Sequence, residues 1–327
     1  MRRPRPPVRL ALALPALALS GAAVVSCAAP DPPGAPDSSA EAGPAAAGAD
    51  TAAPAGADPA GVGIPPPIPV IDAHLHTRFT GGRDALSGIP ETRVELMAQL
   101  RRANVVGGVS HTDSAGRGFS EALAREGIVF CHGVGSRVDP AALEEALASG
   151  RFRCLKIYLG YVPRYPTDPA YEPVYALAAR FDVPVVFHTG DTATPDALVK
   201  YAHPLDIDEV AVRHRDVTFV IAHAGNPWFE SAAEVTYKNP NVVLEASAIL
   251  AGDLGEHDPE AVETLMVEPL RRLFLYVEDP SKIMFASDWP VTDIASYVEA
   301  YRRAIPREHW PAVFHDNAAR VFGIEPH

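Results

Sequence analysis

IDAHLH, at residues 71–76, is a short apolar run that ends on a metal-binding side chain, and this arrangement recurs three more times. The later runs are VPVVFHTG (183–190), FVIAHAG (219–225) and IMFASDWP (283–290). Short apolar runs bounded by turn residues are typical of buried β-strands. Neutral imidazole and carboxylate groups are ligands that suit zinc and similar divalent ions. The pattern therefore predicts a catalytic metal site at the ends of several strands.

Strand-like and helical segments alternate along the chain from residue 70 onward. Helical stretches such as ETRVELMAQLRRA (91–103) carry apolar residues at three- and four-residue spacing. Eight strands and eight helical stretches predict a single α/β domain over residues 68–327, a TIM (β/α)8 barrel. An open doubly wound sheet would require a glycine-rich phosphate loop after the first strand, where this chain has HLHT (74–77). The predicted strands are residues 70–76, 105–111, 128–134, 153–159, 183–188, 217–223, 241–247 and 282–287.

Length, composition and charge set limits on the class of protein. The chain has 327 residues, of which 47% are hydrophobic, which is enough to bury the core of one large domain. Its formal net charge is −13, and an acidic surface repels nucleic acid. We therefore expect a small-molecule substrate and no nucleic-acid partner. The composition indicates no particular oligomeric state.

The N-terminus has the composition of an export signal followed by a tether. Basic residues in MRRPRPPVR precede an apolar stretch over residues 10–25, and VVSC ends at Cys27. This resembles a bacterial lipoprotein signal, which implies cleavage before Cys27, acylation of its thiol, and a lipid anchor on a membrane, facing outside the cytoplasm. The alternative is an ordinary cleaved signal in which Cys27 is incidental. Residues 28–67 contain no lysine, arginine or aromatic residue, and this composition predicts a disordered tether.

Cys131 and Cys154 lie on neighbouring predicted strands. In an oxidising compartment they could form a disulfide, but two separate buried thiols fit the sequence equally well. Neither cysteine has the spacing of a zinc finger.

Strand geometry places the candidate ligands at one end of the predicted barrel. Side chains alternate across a strand, so His74 and His76 share a face, with Asp72 beneath them. Active sites of TIM barrels form at the C-terminal ends of the strands. The remaining candidates lie at or near such strand ends: His188 after strand five, His223 after strand six, Asp288 after strand eight and Lys156 in the second half of strand four.

The segments KIYLGYVPRYPTDP, VVFHTGDT, IAHAGNP, FASDWP and FHDNAARVFGI carry a family resemblance that covers about residues 70–323. They are similar to the amidohydrolase superfamily, and most of all to its amidohydrolase-related branch. That branch contains metal-dependent hydrolases and non-oxidative decarboxylases such as the aminocarboxymuconate semialdehyde enzyme. By matching motifs, the resemblance implies metal ligation by His74, His76, His188 and Asp288, with His223 as the histidine of strand six.

Two versions of the metal site remain open at the level of sequence. In one, a single ion is held by the ligands just named, and His223 stays free for acid–base work. In the other, Lys156 is carboxylated and bridges two ions, and His223 becomes a ligand. The resemblance favours one divalent ion, and we expect it to be zinc. Lys156 in its ordinary amine form, facing a substrate carboxylate or solvent, is a third alternative.

The predicted activity is hydrolysis of a small lactone, amide or ester by metal-activated water. In this mechanism Asp288 serves as a general base and then as an acid, while His223 polarises the scissile carbonyl or positions the water. A non-oxidative decarboxylase on the same site is the main alternative, and a non-catalytic binding lipoprotein is a further one. His111 and His132 match no ligand of the family. Side chains near the strand ends that could face substrate are Arg78, Arg83, Tyr158, Tyr161, Arg164, Asn226 and Trp228.

Overall fold

The computed structural model describes residues 68–325, and all eight predicted strands form within them. The predicted signal (1–27), the tether (28–67) and the acylation site Cys27 lie outside the described residues. The strands are β1 Val70–Leu75, β2 Val105–His111, β3 Ile128–Val134, β4 Cys154–Ile157, β5 Val185–Phe187, β6 Phe219–Ile221, β7 Val242–Glu245 and β8 Ile283–Met284.

The strands pair in their order along the chain, and every pair is parallel. The segment that follows β8 returns to β1 and nearly closes the sheet. Leu75 bridges Trp289, the amide of Ala73 donates to the carbonyl of Phe285 at 3.0 Å, and the amide of Asp288 donates to the carbonyl of His74 at 2.9 Å. The predicted TIM barrel is confirmed.

Helices surround the sheet, and their number exceeds the eight that the sequence predicted. Within residues 68–325 there are ten α-helices, because a π-helical turn at Glu263–Val267 divides one helical stretch in two and a further helix, preceded by a π-helical turn at Ala312–Asp316, lies near the C-terminus. The side chain of Asp293 caps the helix after β8 by accepting from the amide of Ser296. The helices are α1 Arg93–Arg102, α2 Glu121–Ala124, α3 Pro140–Ala148, α4 Glu172–Phe181, α5 Ile207–Arg213, α6 Phe229–Lys238, α7 Pro259–Val262, α8 Glu268–Val277, α9 Ile294–Ala304 and α10 Asn317–Phe322.

Two buried apolar clusters show how the strands divide their side chains. In β5, Val185 and Phe187 belong to the large cluster that includes the helices, whereas Val186 belongs to a smaller cluster inside the barrel. Phe322 and Ile324 of the C-terminal segment join that inner cluster. Because the apolar packing fills the barrel interior, its chemistry is confined to the rim.

Strand β1 is irregular where it carries its polar residues. Between Asp72 and Leu75 it advances three residues while β2 advances two, from Gly108 to Ser110. The side chains of β1 therefore do not simply alternate between the two faces of the sheet across this stretch. The carboxylate of Asp72 accepts from the backbone amide of His74 at 3.1 Å and from the hydroxyl of Ser287 at 2.6 Å. Asp72 thus supports the backbone of the histidine pair, and among the described residues it makes no hydrogen bond to an imidazole.

A disulfide joins Cys131 of β3 to Cys154 of β4. The two residues are direct partners in the parallel register, with their Cα atoms 4.3 Å apart. Of the two possibilities that the sequence left open, the structure has the bonded pair. The cross-link lies two residues before Lys156 on the same strand.

Among the described residues, no helix is both long enough and apolar enough to cross a membrane.

Candidate metal centre

Three side chains from the two ends of the barrel sheet converge at its rim. Nε2 of His76 lies 3.1 Å from Oδ1 of Asp288, and Nε2 of His74 lies 3.5 Å from the same oxygen. The donor atoms of all three residues are within 4.8 Å of one another. His74 is completely buried, whereas the side chain of His76 is 35% exposed. The group is therefore anchored in the protein on one side and accessible to solvent on the other.

Several buried polar atoms at this point lack hydrogen-bond partners among the described residues. They include Nε2 of His74, Oδ1 of Asp288 and Nζ of Lys156. Buried polar groups are almost always paired, because an unpaired one loses its hydration without compensation. A divalent cation would satisfy the imidazole and carboxylate lone pairs together. The donor set and its unpaired atoms therefore fit a metal ion.

Glu245 of β7 orients the first histidine, and the sequence analysis did not single it out. Its Oε1 lies 2.6 Å from Nδ1 of His74, and its Oε2 accepts from the backbone amide of Ser247 at 2.7 Å. A carboxylate at Nδ1 holds the proton there and leaves Nε2 with its lone pair for a metal. The sequence feature that could have identified Glu245 was an acidic residue near the end of the apolar run NVVLEAS. Burial raises the pKa of Glu245 to about 7, against the opposing effects of its bond to Ser247 and of the Lys156 charge.

His223 follows β6 in a short turn where its backbone adopts φ 60°. Its Nδ1 lies 2.8 Å from the hydroxyl of Ser247 and 4.0 Å from Oδ2 of Asp288. Burial, followed by the positive potential of His188 and Lys156, lowers the pKa of His223 well below its usual value. The ring is therefore neutral, and it can donate or accept a hydrogen bond beside Asp288.

His188 lies in the same cavity but does not join the converging donor atoms. Its ring centroid is 4.7 Å from that of His223, and its Nε2 donates to the carbonyl of Asp191 at 2.9 Å. That bond leaves Nδ1 as the lone-pair atom of the ring. Burial lowers the pKa of His188 to about 3, and the charge of Lys156 acts in the same direction. Its role as a metal ligand stays a prediction.

Lys156 projects from β4 with only 1% of its surface exposed. Burial lowers its pKa to about 8, while the carboxylates of Glu245 and Asp288 act in the opposite direction. At neutral pH the ammonium form still predominates, so a positive charge without a hydrogen-bond partner faces the cavity.

Residues without a predicted metal role also border the centre. The ring of His111, at the end of β2, is buried with its centroid 4.1 Å from that of His74, so it packs directly against a candidate ligand. His132 instead bonds its own strand, with Nδ1 2.9 Å from the carbonyl of Gly133, and its ring packs on Phe152. Burial raises the pKa of Asp72 to about 7, against hydrogen bonds from Ser287 and the His74 amide.

A cavity of about 570 Å³ opens above the centre. Of the side chains that the sequence offered as substrate-facing, Tyr158, Tyr161 and Asn226 line it. Within residues 68–325, its lining contains none of the arginines in that set, nor Trp228. The lining consists of His74, His76, Leu86, Lys156, Tyr158, Tyr161, His188, Asp191, Ala193, His223, Asn226, Ala248, Ile249, Ala251, Asp288 and Val291.

Comparison with known proteins gives a family match and a set of similar folds. The family model described as Amidohydrolase matches residues 71–324. No curated protein is significantly similar to the chain.

Three solved structures represent the fold matches. An uncharacterized TIM-barrel protein from Bordetella bronchiseptica is 21% identical, with a TM-score of 0.60 over 78% of this chain and 99% of the other. A protein from Acinetobacter baumannii, described as a probable 2-pyrone-4,6-dicarboxylic acid hydrolase, is 15% identical, with a TM-score of 0.54 over 79% and 99%. The 5-carboxyvanillate decarboxylase from Novosphingobium aromaticivorans, with bound manganese, is 12% identical, with a TM-score of 0.51 over 70% and 80%. At these identities the matches establish the barrel fold alone.

Proposed function

The chain belongs to the amidohydrolase family, and from that premise we propose that it is a metal-dependent hydrolase of a small lactone, amide or ester. One observation carries the proposal. Nε2 of His74 and Oδ1 of Asp288 are buried, unpaired and convergent with Nε2 of His76 at the rim of the barrel. His74, His76 and Asp288 would hold one divalent ion, with His188 as a further candidate ligand. Zinc is our first choice, since imidazole and carboxylate ligands suit it.

The surrounding side chains supply proton transfer and orientation. A bound divalent ion supplies Lewis acidity, which lowers the pKa of water and polarises a carbonyl oxygen. Asp288 acts as general base on the attacking water and returns the proton to the leaving group. The neutral ring of His223, held at Nδ1 beside the Ser247 hydroxyl, positions the carbonyl or the water. Glu245 keeps Nε2 of His74 unprotonated through its contact with Nδ1.

A non-oxidative decarboxylase is the second candidate function. The buried amine of Lys156, which has no hydrogen-bond partner, suits a substrate carboxylate and therefore favours this alternative. The similar solved structures include both a described hydrolase and a decarboxylase, so they support either reaction class. We place the hydrolase first because His223 and Asp288 are neighbours that line the same cavity, with Nδ1 of His223 4.0 Å from Oδ2 of Asp288, so both residues can act on one substrate or water molecule.

The proposed metal site is tested by counting the metal ions bound per chain in the wild-type protein and in single-residue variants. The measurement is elemental analysis of the purified wild-type protein beside His74→Ala and Lys156→Met. We expect about one ion per chain, lost in His74→Ala because a ligand is removed, and kept in Lys156→Met. Lys200→Met is the matched control, because Lys200 is exposed and lies outside the cavity.

The other outcomes separate the alternatives. Two ions, one of them lost in Lys156→Met, would assign a carboxylated lysine with His223 as an additional ligand. No ion in the wild-type protein after zinc or manganese is supplied would reject the enzyme and leave a binding lipoprotein. With an ion present, formation of a carboxylic acid from a panel of lactones, amides and esters supports the hydrolase, whereas release of CO2 from carboxylated aromatics supports the decarboxylase.

We also propose that the protein is exported and anchored to a bacterial membrane through lipid on Cys27. The lipobox-like VVSC at residues 24–27 supports the anchor. The bonded pair Cys131–Cys154 supports an oxidising compartment, because such bonds are rare in the reducing cytosol.

A further inference from the structure

The cavity above the candidate metal centre has a polar floor and a largely apolar wall. Its floor contains the most deeply buried lining residues, among them His74, Lys156 and Asp288, which are 0%, 1% and 7% exposed. The wall leads outward to Tyr161 and Leu86, which are 38% and 57% exposed. Aliphatic side chains complete the wall: Ala193, Ala248, Ile249, Ala251 and Val291.

The two tyrosine hydroxyls on the wall are already hydrogen-bonded within the protein. The hydroxyl of Tyr158 donates to the carbonyl of Thr112 at 2.9 Å, and the hydroxyl of Tyr161 accepts from the amide of Ala193 at 2.8 Å. The ring of Tyr161 also stands edge-on to that of His188, with centroids 4.8 Å apart. Both tyrosines therefore present ring carbon more than free hydroxyl to a ligand. A fixed aromatic face of this kind suits a flat or ring-shaped body.

Positive charge is confined to the floor. Among lysines and arginines in the described residues, Lys156 alone lines the cavity, and the exposed lining residue Asp191 adds negative charge. Two of the arginines that the sequence offered as substrate-facing are bonded elsewhere. Arg83 donates to the carbonyl of Gly88 at 2.6 Å, and Arg164 donates to that of Ser136 at 3.1 Å. An ionised group carried on the outer part of a ligand would lose hydration without gaining a cationic partner.

We propose that the substrate has one oxygen-rich reacting group, neutral or singly anionic, attached to an uncharged and largely apolar ring-sized body. The reacting group meets the floor, and the body packs against Tyr161, Ile249 and Val291. Molecules with a second carboxylate on that body are excluded. This inference rests on the proposed function, because it takes the cavity over the metal centre as the substrate site.

Binding of three matched ligands tests the proposal without requiring turnover. The ligands are benzoate, 3-methylbenzoate and isophthalate, in which the 3-position carries hydrogen, methyl or a second carboxylate. Isothermal titration calorimetry with the zinc-loaded protein gives their dissociation constants. We expect 3-methylbenzoate to bind at least as tightly as benzoate, and isophthalate to bind at least about tenfold more weakly than 3-methylbenzoate. Equal or tighter binding of isophthalate overturns the proposal, and so does a failure of both monocarboxylates to bind.

A charge placed on the wall makes the test specific to the cavity. Leu86→Arg introduces a cation at the exposed rim. We expect this substitution to strengthen the binding of isophthalate, relative to that of 3-methylbenzoate, by about tenfold. Leu275→Arg is the matched control, because Leu275 is 64% exposed and lies outside the cavity lining. An equal gain in both variants, or no gain in Leu86→Arg, contradicts the proposed position of the ligand body.

Failure of this inference differs visibly from failure of the proposed function. If the ligand order holds but no lactone, amide or ester is hydrolysed, the substrate class stands and the hydrolase is rejected. If hydrolysis occurs but dicarboxylated substrates react as well as uncharged ones, the hydrolase stands and the substrate class is rejected.

Discussion

At the scale of single residues, one carboxylate organises much of the candidate metal centre. Glu245 is completely buried and reaches three partners: Nδ1 of His74 at 2.6 Å, the amide of Ser247 at 2.7 Å and the amide of His223 at 3.3 Å. It thereby links a candidate ligand on β1 to the turn after β6. Its contact with the imidazole fixes which nitrogen of His74 faces the centre.

Replacing Glu245 by glutamine tests this positioning role. Glutamine keeps the shape and an acceptor oxygen but removes the charge, so His74 becomes a weaker ligand. We expect zinc affinity to fall about 10- to 100-fold, measured by competition with a chromogenic chelator. Glu299→Gln is the matched control, because the side chain of Glu299 is 65% exposed on α9.

Two results would contradict the positioning role. Unchanged zinc affinity in Glu245→Gln would leave Glu245 a purely structural residue. Complete loss of the ion, with near-ultraviolet circular dichroism showing an intact fold, would make Glu245 a direct ligand instead.

At the scale of elements, the apolar runs predicted the barrel because each strand is buried on both sides. The eight predicted strands are all present, and they place His188, His223 and Asp288 at one rim. The sequence of β1 alone did not predict its irregular register between Asp72 and Leu75, because register depends on the neighbouring strand. The partnership of Glu245 with His74 was equally hidden, because it spans 171 residues of sequence. The bond of His188 to the Asp191 carbonyl also depends on the fold of a loop.

The loop after β5 depends on a glycine, and this dependence can be tested. Gly190 has φ +86°, and a Cβ added there would lie 2.3 Å from the carbonyl oxygen of Asn226. We expect Gly190→Ala to lower the free energy of unfolding by about 3 kcal/mol, from left-handed strain and the clash together. Gly150→Ala is the matched control, since Gly150 has φ +71° with no atom nearby, and we expect a loss of about 1 kcal/mol.

Urea denaturation of the metal-loaded proteins measures both losses. Because the clash involves Asn226, a residue of the cavity lining, Gly190→Ala should also weaken 3-methylbenzoate binding. Equal destabilisation by the two alanines would mean that the loop yields to the added carbon.

At the scale of the whole molecule, the proposed site and the proposed anchor occupy separate parts of the chain. The barrel covers the described residues 68–325, whereas Cys27 lies in the segment that precedes them. Cell fractionation of bacteria that express the full chain tests the anchor. We expect the wild-type protein in the membrane fraction and Cys27→Ala in the soluble fraction, because the acylated thiol is lost. Cys131→Ala is the control for loss of a cysteine as such, and it should stay with the membrane. Wild-type protein in the soluble fraction would contradict the anchor and leave the metal site untouched.

The division of the cavity between strands and loops has a consequence for how this protein could diversify. Of the residues that line the cavity, His74 and Lys156 are carried by strands, whereas Leu86, Tyr161, Ala193 and Val291 are carried by the segments that follow strands. Loops tolerate substitution and insertion far better than a packed barrel does. Selection or laboratory evolution could therefore exchange the outer segments for new preferences while the same reactive groups stay in place. A library that randomises only these four loop positions is accordingly the most economical starting point for changing what the enzyme accepts.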